Sequence, residues 1–397
     1  MNNVPNLRFP EFQGEWEENT IGEEFDLYSG NTPSRLNKEH FNGAINWISS
    51  GELKEHYIAD TKEKISDEAA KTLKMLPIGT FVIAIYGLEA DGVRGTGSIT
   101  KFESTISQAC MAFTSKGKVQ NEFLYSWYKK HGNVIGIRYA QGTKQQNLSY
   151  DIIEKFKIAY PTFQEQEKLN KFIALLDERI ATQNKIIEDL KKLKSAIIEN
   201  VFDDKHSEKL QLDNVGSYIR GLTYSSNDVV EHGGTLVMRS NNIVNGSLLD
   251  YNNNVVFVNK QMSAEQQLQN GDIVICMANG SSSLVGKSSF YDGNWHSPIT
   301  VGAFCGIYRS KEPIVKWLFQ TNKYRRYIWN SLQGGNGAIA NLNGEDILNM
   351  SFSIPNAPIK DTCVKMLTSV DSAIENNMSL CALYTLQKQH MLRQMFI

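Results

Sequence analysis

A few places in the chain come near to the residue types and spacings that catalysis or cofactor binding needs. Residues 281–289 read SSSLVGKSS, and Gly286, Lys287 and Ser288 match the end of a phosphate loop. The glycine that should open such a loop is missing, because position 281 is Ser. Without it the backbone does not readily form the nest of amides that cradles phosphate. The triplet GTG at 95–97 lacks the strand and helix that an adenosyl-binding turn needs on either side. The histidines show no H-E-x-x-H or other metal spacing, and no [DN]-P-P-[FY] loop is present to hold a flipped base. The acidic pair Asp203-Asp204 and the Glu63-Lys64 region read as solvated charge rather than as part of a nuclease centre. These residues predict a chain with no catalytic centre and no metal.

What the chain has instead is polar loops, and they come in pairs. Asn147 and Leu148 reappear as Asn341 and Leu342, Pro161 as Pro355, Asp177 as Asp371, Ile180 as Ile374 and Phe202 as Phe396, always 194 residues on. Each half opens on an apolar and Gly pattern, IGEEFDLYSGNTPS at 21–34 and VGSYIRGLTYSS at 215–226. An extended segment then enters a polar turn, NWISSGEL at 46–53 and LVMRSNNI at 236–243. LPIGTFVIAI at 76–85 and LQNGDIVICM at 268–277 read as a turn feeding a β-branched strand, followed by a Gly-rich loop. The globular parts close with a polar loop, a short helix capped by Ser149 or Asn343, and a strand ending at Pro161 or Pro355. The expected class is mixed α/β (α+β), with a pseudo-two-fold internal repeat.

Two long helices must position these loops, over about 165–202 and 359–396. In the first, Leu169, Ile173, Leu176, Ile180, Gln183, Ile187, Leu190, Lys194, Ile197 and Val201 alternate at spacings of four and three. Adding 194 gives Cys363, Leu367, Val370, Ile374, Asn377, Cys381, Tyr384, Lys388, Met391 and Met395 in the second. Each is a heptad seam, and its polar interruptions fall at the same steps. At about 1.5 Å per residue each helix would be roughly 57 Å long. Packing on its own globular part would explain one such stripe, whereas two matched seams favour each other as partners, in an antiparallel intramolecular coiled coil. Gln183 and Asn377 either fix its register or are tolerated at its edge.

Composition limits the partners. Hydrophobic residues at 41% and charged residues at 21% describe an ordinary folded chain rather than a disordered one. A net charge of -2 argues against a polyelectrolyte nucleic-acid binder, so any DNA role must use local groups. Five cysteines without a C-x-x-C pair suit buried thiols in a reducing compartment. The opening MNNVPNLRFPEF does not read as a signal peptide, and no apolar run approaches spanning length. A cytoplasmic protein with no membrane association is the expectation. The boundaries expected are 1–160 and 206–355 for two globular domains, with 161–205 and 356–397 for the helices between and after them.

The opening LRFPEFQGEW, the strand NWISSGEL, the loop QGTKQQNLS at 141–149, the phrase YPTFQEQEKL at 160–169 and the helix after it, all in a tandem frame, resemble the specificity subunit of type I restriction–modification systems. The resemblance covers essentially the whole chain, and the 139–202 block with its echo is the specific part. It implies two target-recognition domains, each reading one half of a split, asymmetric double-stranded DNA sequence, with the coiled coil setting the unread spacer. It also implies assembly with two methyltransferase subunits and two restriction subunits. S-adenosylmethionine, ATP and Mg are then expected on those partners and no cofactor on this chain, which would be a non-catalytic subunit.

On that reading the DNA-binding candidates in the first domain are Tyr28, Ser29, Asn31, Thr32, Ser34, Ser50, Arg94, Lys144, Gln145, Gln146 and Asn147. In the second they are Arg220, Tyr224, Arg239, Ser240, Asn241, Asn279, Ser281, Ser282, Asn336 and Asn341. All sit in Gly-bounded loops and have side chains that can read a base edge or bind phosphate. For any one of them, turn stabilisation competes with DNA contact, since Ser and Asn make turns through their own hydrogen bonds. The cluster Lys323-Tyr324-Arg325-Arg326-Tyr327 either follows phosphates or is a helix's polar face. A protein-only adaptor with no DNA sequence preference is the alternative from another class.

Overall fold

The computed structural model of the protein describes residues 3–90, 92–203, 208–332 and 340–397. The chain divides into two compact units, one made of Met1–Lys185 with Met378–Ile397 and the other of Ile186–Asn377. Asn336 and Asp204 lie outside the described residues.

In the first unit, Glu17–Thr20 pairs antiparallel with Lys157–Tyr160, which brings the start of the unit beside the strand that precedes the long helix. Thr20 caps the short helix Ile21–Glu24 in a capping box with Glu23, and the chain turns directly into Phe25–Ser29. That strand edges a five-stranded sheet in the order Phe25–Ser29, Cys110–Ser115, Phe81–Ala84, Gly97–Thr100, Tyr57–Ile58. A three-stranded sheet places Ile45–Ile48 between Lys64–Ile65 and Ser104–Ile106, the last pairing being parallel. Lys64–Ile65 forms a short edge strand, and Arg35 and Glu63 form a bidentate ion pair whose side chains stay largely exposed, as expected of solvated charge. Phe81 and Phe113 from the sheet share the core with Phe123 and Tyr125 from the helix Asn121–Tyr139.

The second unit has a four-stranded sheet in the order Gly216–Arg220, Cys305–Ser310, Ile273–Cys276, Ser288–Phe290. A second four-stranded sheet runs Val229–Val230, Val256–Val258, Thr235–Met238, Ile299–Val301, again with one parallel pair at Thr235–Met238. Glu208–Gln211 pairs with Ser351–Ile354. Asn343 caps Gly344–Leu348 through a hydrogen bond to the Asp346 amide, as its position predicts. The SSSLVGKSS segment is a 3-10 turn at Ser282–Leu284 entering the Ser288–Phe290 strand. Gly286, at φ +81°, packs directly under Ile328. Within Lys323–Tyr327 the two tyrosines turn inward while Arg325 and Arg326 stay exposed, so the interleaving reflects an amphipathic helix, Asn322–Leu332.

The long helices are Phe163–Val201 and Ala357–Met395, each of 39 residues. In the first unit Lys388 forms an ion pair with Asp177, and the Cys381 thiol donates to Asn184 Oδ1 at 3.3 Å. In the second unit Lys194 Nζ lies 2.6 Å from Asp371 Oδ1. In the first unit one numbering rises as the other falls, so its two helix segments run antiparallel. The polar interruptions of the seams, Lys194 and Lys388, are therefore each met by an aspartate. Leu169, Ile173, Leu176, Ile187, Val201, Leu367, Ile374 and Met395 are buried; Ile180, Leu190, Ile197, Val370, Tyr384 and Met391 are half-buried. At one step burial departs from the seam, and it does so at the same step in both helices. Ile198 and Leu392, each one residue past a seam position, are 2% and 5% exposed. There the helix ends sink into globular cores through Phe202 and Phe396, which widens the buried stripe beyond a two-helix seam. Among the described residues no helix is long and apolar enough to cross a membrane.

Candidate nucleic-acid interface

In the first unit, the ends of several strands are stitched together by backbone hydrogen bonds, and the candidate loops leave from that seam. The Gly30 amide donates to Cys110 O at 3.2 Å, the Ser107 amide to Ile48 O at 2.9 Å, and the Ile85 amide to Ala109 O at 2.9 Å. The Leu148 amide then donates to Ile85 O at 2.9 Å, joining the 141–149 loop to the same cluster. The second unit is stitched in the same way. Gly221 donates to Cys305 O at 3.2 Å, Gly302 to Met238 O at 2.8 Å, Met277 to Phe304 O at 2.8 Å and Leu342 to Met277 O at 2.8 Å. Close approach explains the glycines: a Cβ at Gly30 would collide with the Ile106 and Ser107 carbonyls, and one at Gly221 with the Gly302 carbonyl.

Several candidate side chains are already engaged in holding these loops. The Tyr28 phenol oxygen accepts from the Lys74 amide at 3.2 Å, and Asn31 Oδ1 accepts from the Thr32 amide at 2.8 Å. Asn31 O also accepts from the Trp47 indole at 3.2 Å. Ser50 opens a 3-10 turn, Ser50–Glu52, in which the Ser49 amide donates to Glu52 Oε2 at 2.8 Å. Arg94 Nη2 donates to Gln146 Oε1 at 3.0 Å, while the Gln146 amide donates to Glu89 Oε2 at 2.7 Å. That amide holds the Glu89 carboxyl below its ordinary range. Asn147 pairs by backbone with Gln141 in both directions, and its Oδ1 is buried without a hydrogen-bond partner. What this leaves facing solvent is Ser29, Asn31, Ser34, Lys144 and Gln145, with Thr32 half-buried.

In the second unit Tyr224 packs with Leu222, Val237 and Val258. The Arg239 amide donates to Asn242 Oδ1 at 2.9 Å, and its Nη2 donates to Asn254 O at 2.8 Å. Asn279 Nδ2 approaches Ser240 Oγ at 3.4 Å, and the Ser281 amide donates to Asn279 Oδ1 at 3.0 Å. Ala278–Asn279 pairs antiparallel with Ala340–Asn341, which ties Asn341 to the cluster. Arg220, Asn241, Ser281, Ser282 and Asn341 are exposed.

Sequence reasoning missed two aromatics at this surface. Tyr86 is 37% exposed and forms a backbone bridge with Asn147; Phe304 is 64% exposed and leads into the Cys305–Ser310 strand. Neither stands out in sequence, because an aromatic beside a β-branched strand reads as core. No cluster of His, Cys, Asp and Glu suited to a metal occurs among the described residues. The cysteines are free thiols, with Cys110, Cys276, Cys305 and Cys363 buried and Cys381 half-buried.

Residues 13–192 match the family described as the type I restriction modification DNA specificity domain. The chain is 26% identical over 196 residues to the MjaIX specificity subunit of Methanocaldococcus jannaschii, covering 48% of this chain and 44% of that one. It is 29% identical over 190 residues to the EcoR124I/EcoR124II specificity subunit of Escherichia coli, covering 46% and 45% respectively. The alignments thus span less than half the length of these curated relatives. In fold, the chain is similar to the crystal structure of a type I restriction–modification S subunit from M. genitalium, with a TM-score of 0.61 and 15% identity over 99% of both chains. The loops and helices described above therefore belong to a chain whose residues 13–192 match the type I restriction modification DNA specificity domain and which is similar to specificity subunits over about half its length.

Proposed function

We propose that this chain is the DNA-addressing subunit of a type I restriction–modification complex and catalyses nothing itself. Its domains are then 1–160 and 206–355, with long helices at 161–205 and 356–397, and each domain reads one half of a bipartite, asymmetric sequence. The observation that carries the reading is the matched stitching of polar loops in both units, from Gly30, Ile85 and Leu148 in one and Gly221, Met277 and Leu342 in the other. A rigid base with exposed amide, hydroxyl and cationic groups suits base-edge contacts, each good bidentate pair being worth about 1–3 kcal/mol of discrimination. Unlike loop side chains on the two bases suit unlike half-sites. The antiparallel helices act as a coiled-coil spacer and dock two methyltransferase subunits, with two restriction subunits completing the assembly. Sharing phosphate contacts with those subunits accommodates the net charge of -2.

The test is to express the chain with its methyltransferase partner and map adenine methylation across the host genome. The expected result is a single motif of two unlike specific blocks around an unread gap. An adaptor without DNA preference predicts no such motif, and no salt-sensitive retention on any duplex.

A further inference from the structure

We infer that Phe304 is a specificity-determining residue of the second unit, reading the 5-methyl group of a thymine; this rests on the DNA-reading function proposed above. In the matched stitching of the two units, the carbonyl that receives the Ile85 amide belongs to Ala109, and the one that receives the Met277 amide belongs to Phe304. A methyl group in one unit is thus replaced by a phenyl ring in the other, at the same place in the hydrogen-bond pattern.

The backbone that carries the ring is fixed. Phe304 O accepts from Met277 at 2.8 Å and from Ala278 at 3.1 Å, and the Cys305 amide closes a turn onto Gly302 O at 2.8 Å. The next residue, Cys305, is paired in the sheet with Cys276 and is 1% exposed. Nothing in the fold requires a ring at 304, because its side chain is 64% exposed and lies outside the buried clusters. Its neighbours in the stitching carry polar side chains: Asn279 follows Ala278, Asn341 pairs with Ala278, and Ser240 lies against Asn279. An exposed phenyl ring among amides and a hydroxyl gains nothing in water, but it gains when it covers an apolar patch. On the groove edges of the four bases, the apolar feature that distinguishes one base is the thymine methyl in the major groove. Amides that pair with a base edge and a ring that covers a methyl belong to one reading surface. A wedge driven between base steps would also use an aromatic, but it predicts unstacking rather than dependence on one methyl group.

The experiment uses the complete chain with its methyltransferase partner. Methylation motifs are mapped for the wild type, Phe304→Ala and Phe304→Leu, and the wild-type complex is then assayed on duplexes with uracil in place of thymine at single positions of its motif. The expected result is that F304A relaxes one T·A position in a single half-site and leaves the other half-site and the gap unchanged. F304L, still apolar, should retain part of that preference. Uracil at that position should slow methylation by the wild type about fourfold, the value of roughly one buried methyl group, and should not affect F304A. Motifs identical in wild type and F304A, or equal uracil sensitivity in both, would overturn the assignment while leaving DNA reading intact. A local increase in 2-aminopurine fluorescence lost in F304A, with no uracil effect, would overturn it in favour of a wedge. Absence of any motif in the wild type would instead remove the underlying function.

Discussion

Asp177 and Asp371 stand 194 residues apart, and each meets a lysine from the other long helix of its unit. Around Asp371 gather Lys194 at 2.6 Å, Lys316 at 2.9 Å and the Trp317 indole at 3.1 Å. Burial opposes its ionised form, but the two ammoniums outweigh it and hold the carboxyl below the usual range. Asp371→Asn would leave Lys194 buried without its counter-charge and should cost about 3–5 kcal/mol in denaturant unfolding. Asp177 is answered differently, because its second cation is a histidine. His56 lies between the Tyr57 and Tyr125 rings, with centroids at 4.1 and 4.0 Å; Nε2 is 2.8 Å from Glu122, and Nδ1 is 3.1 Å from Asp177. Burial disfavours the imidazolium, yet the two carboxylates prevail and raise its pKa above the ordinary value. A raised folded-state pKa means that this stabilisation is complete below about pH 6.5 and is lost as pH climbs through the folded value. Lys129, whose ammonium burial pulls down to about 8, acts with the opposite sign, its destabilisation easing as pH rises above that value. Thermal melts of wild type and His56→Gln isolate the histidine, because Lys129 is common to both: the wild-type advantage should be largest below about pH 6.5 and shrink as pH rises above it. An advantage that grows with pH would contradict the clamp.

At the scale of elements, the helices were legible because a heptad is a local signal repeated many times. Their bounds, Phe163–Val201 and Ala357–Met395, lie within two residues of those read from the seams. The sheets were legible only as strands. Which strand lies beside which, such as the parallel pairing of Asn46 with Ser104, depends on contacts far apart in sequence. The candidate site was legible as loops, while the roles of its side chains were not. Tyr28, Arg94 and Arg239 have the right chemistry for DNA, yet each is hydrogen-bonded within its unit, while exposed Phe304 has no sequence signature. The seam itself needed widening, and that can be measured. Ile198→Ala and Leu392→Ala, at positions outside the heptad, should each cost about 2–5 kcal/mol as core truncations. Leu383→Ala, at a position 61% exposed, should change unfolding by less than about 0.5 kcal/mol. Equal effects at all three would mean that the heptad alone describes the buried face.

For the whole molecule, the proposed function gives sequence choice to the loops and spacing to the helices, and the two can be altered separately. On the proposed function, inserting four residues near 200–205, roughly one turn or about 6 Å of helix, should change the spacer without touching any stitched loop. The decisive measurement is the methylation motif of that insertion variant, expressed with its methyltransferase partner and compared with the wild type. The expected result is the same two half-sites separated by a changed number of unread bases. A motif in which either half-site itself has changed, or in which the gap is unaltered, would contradict it.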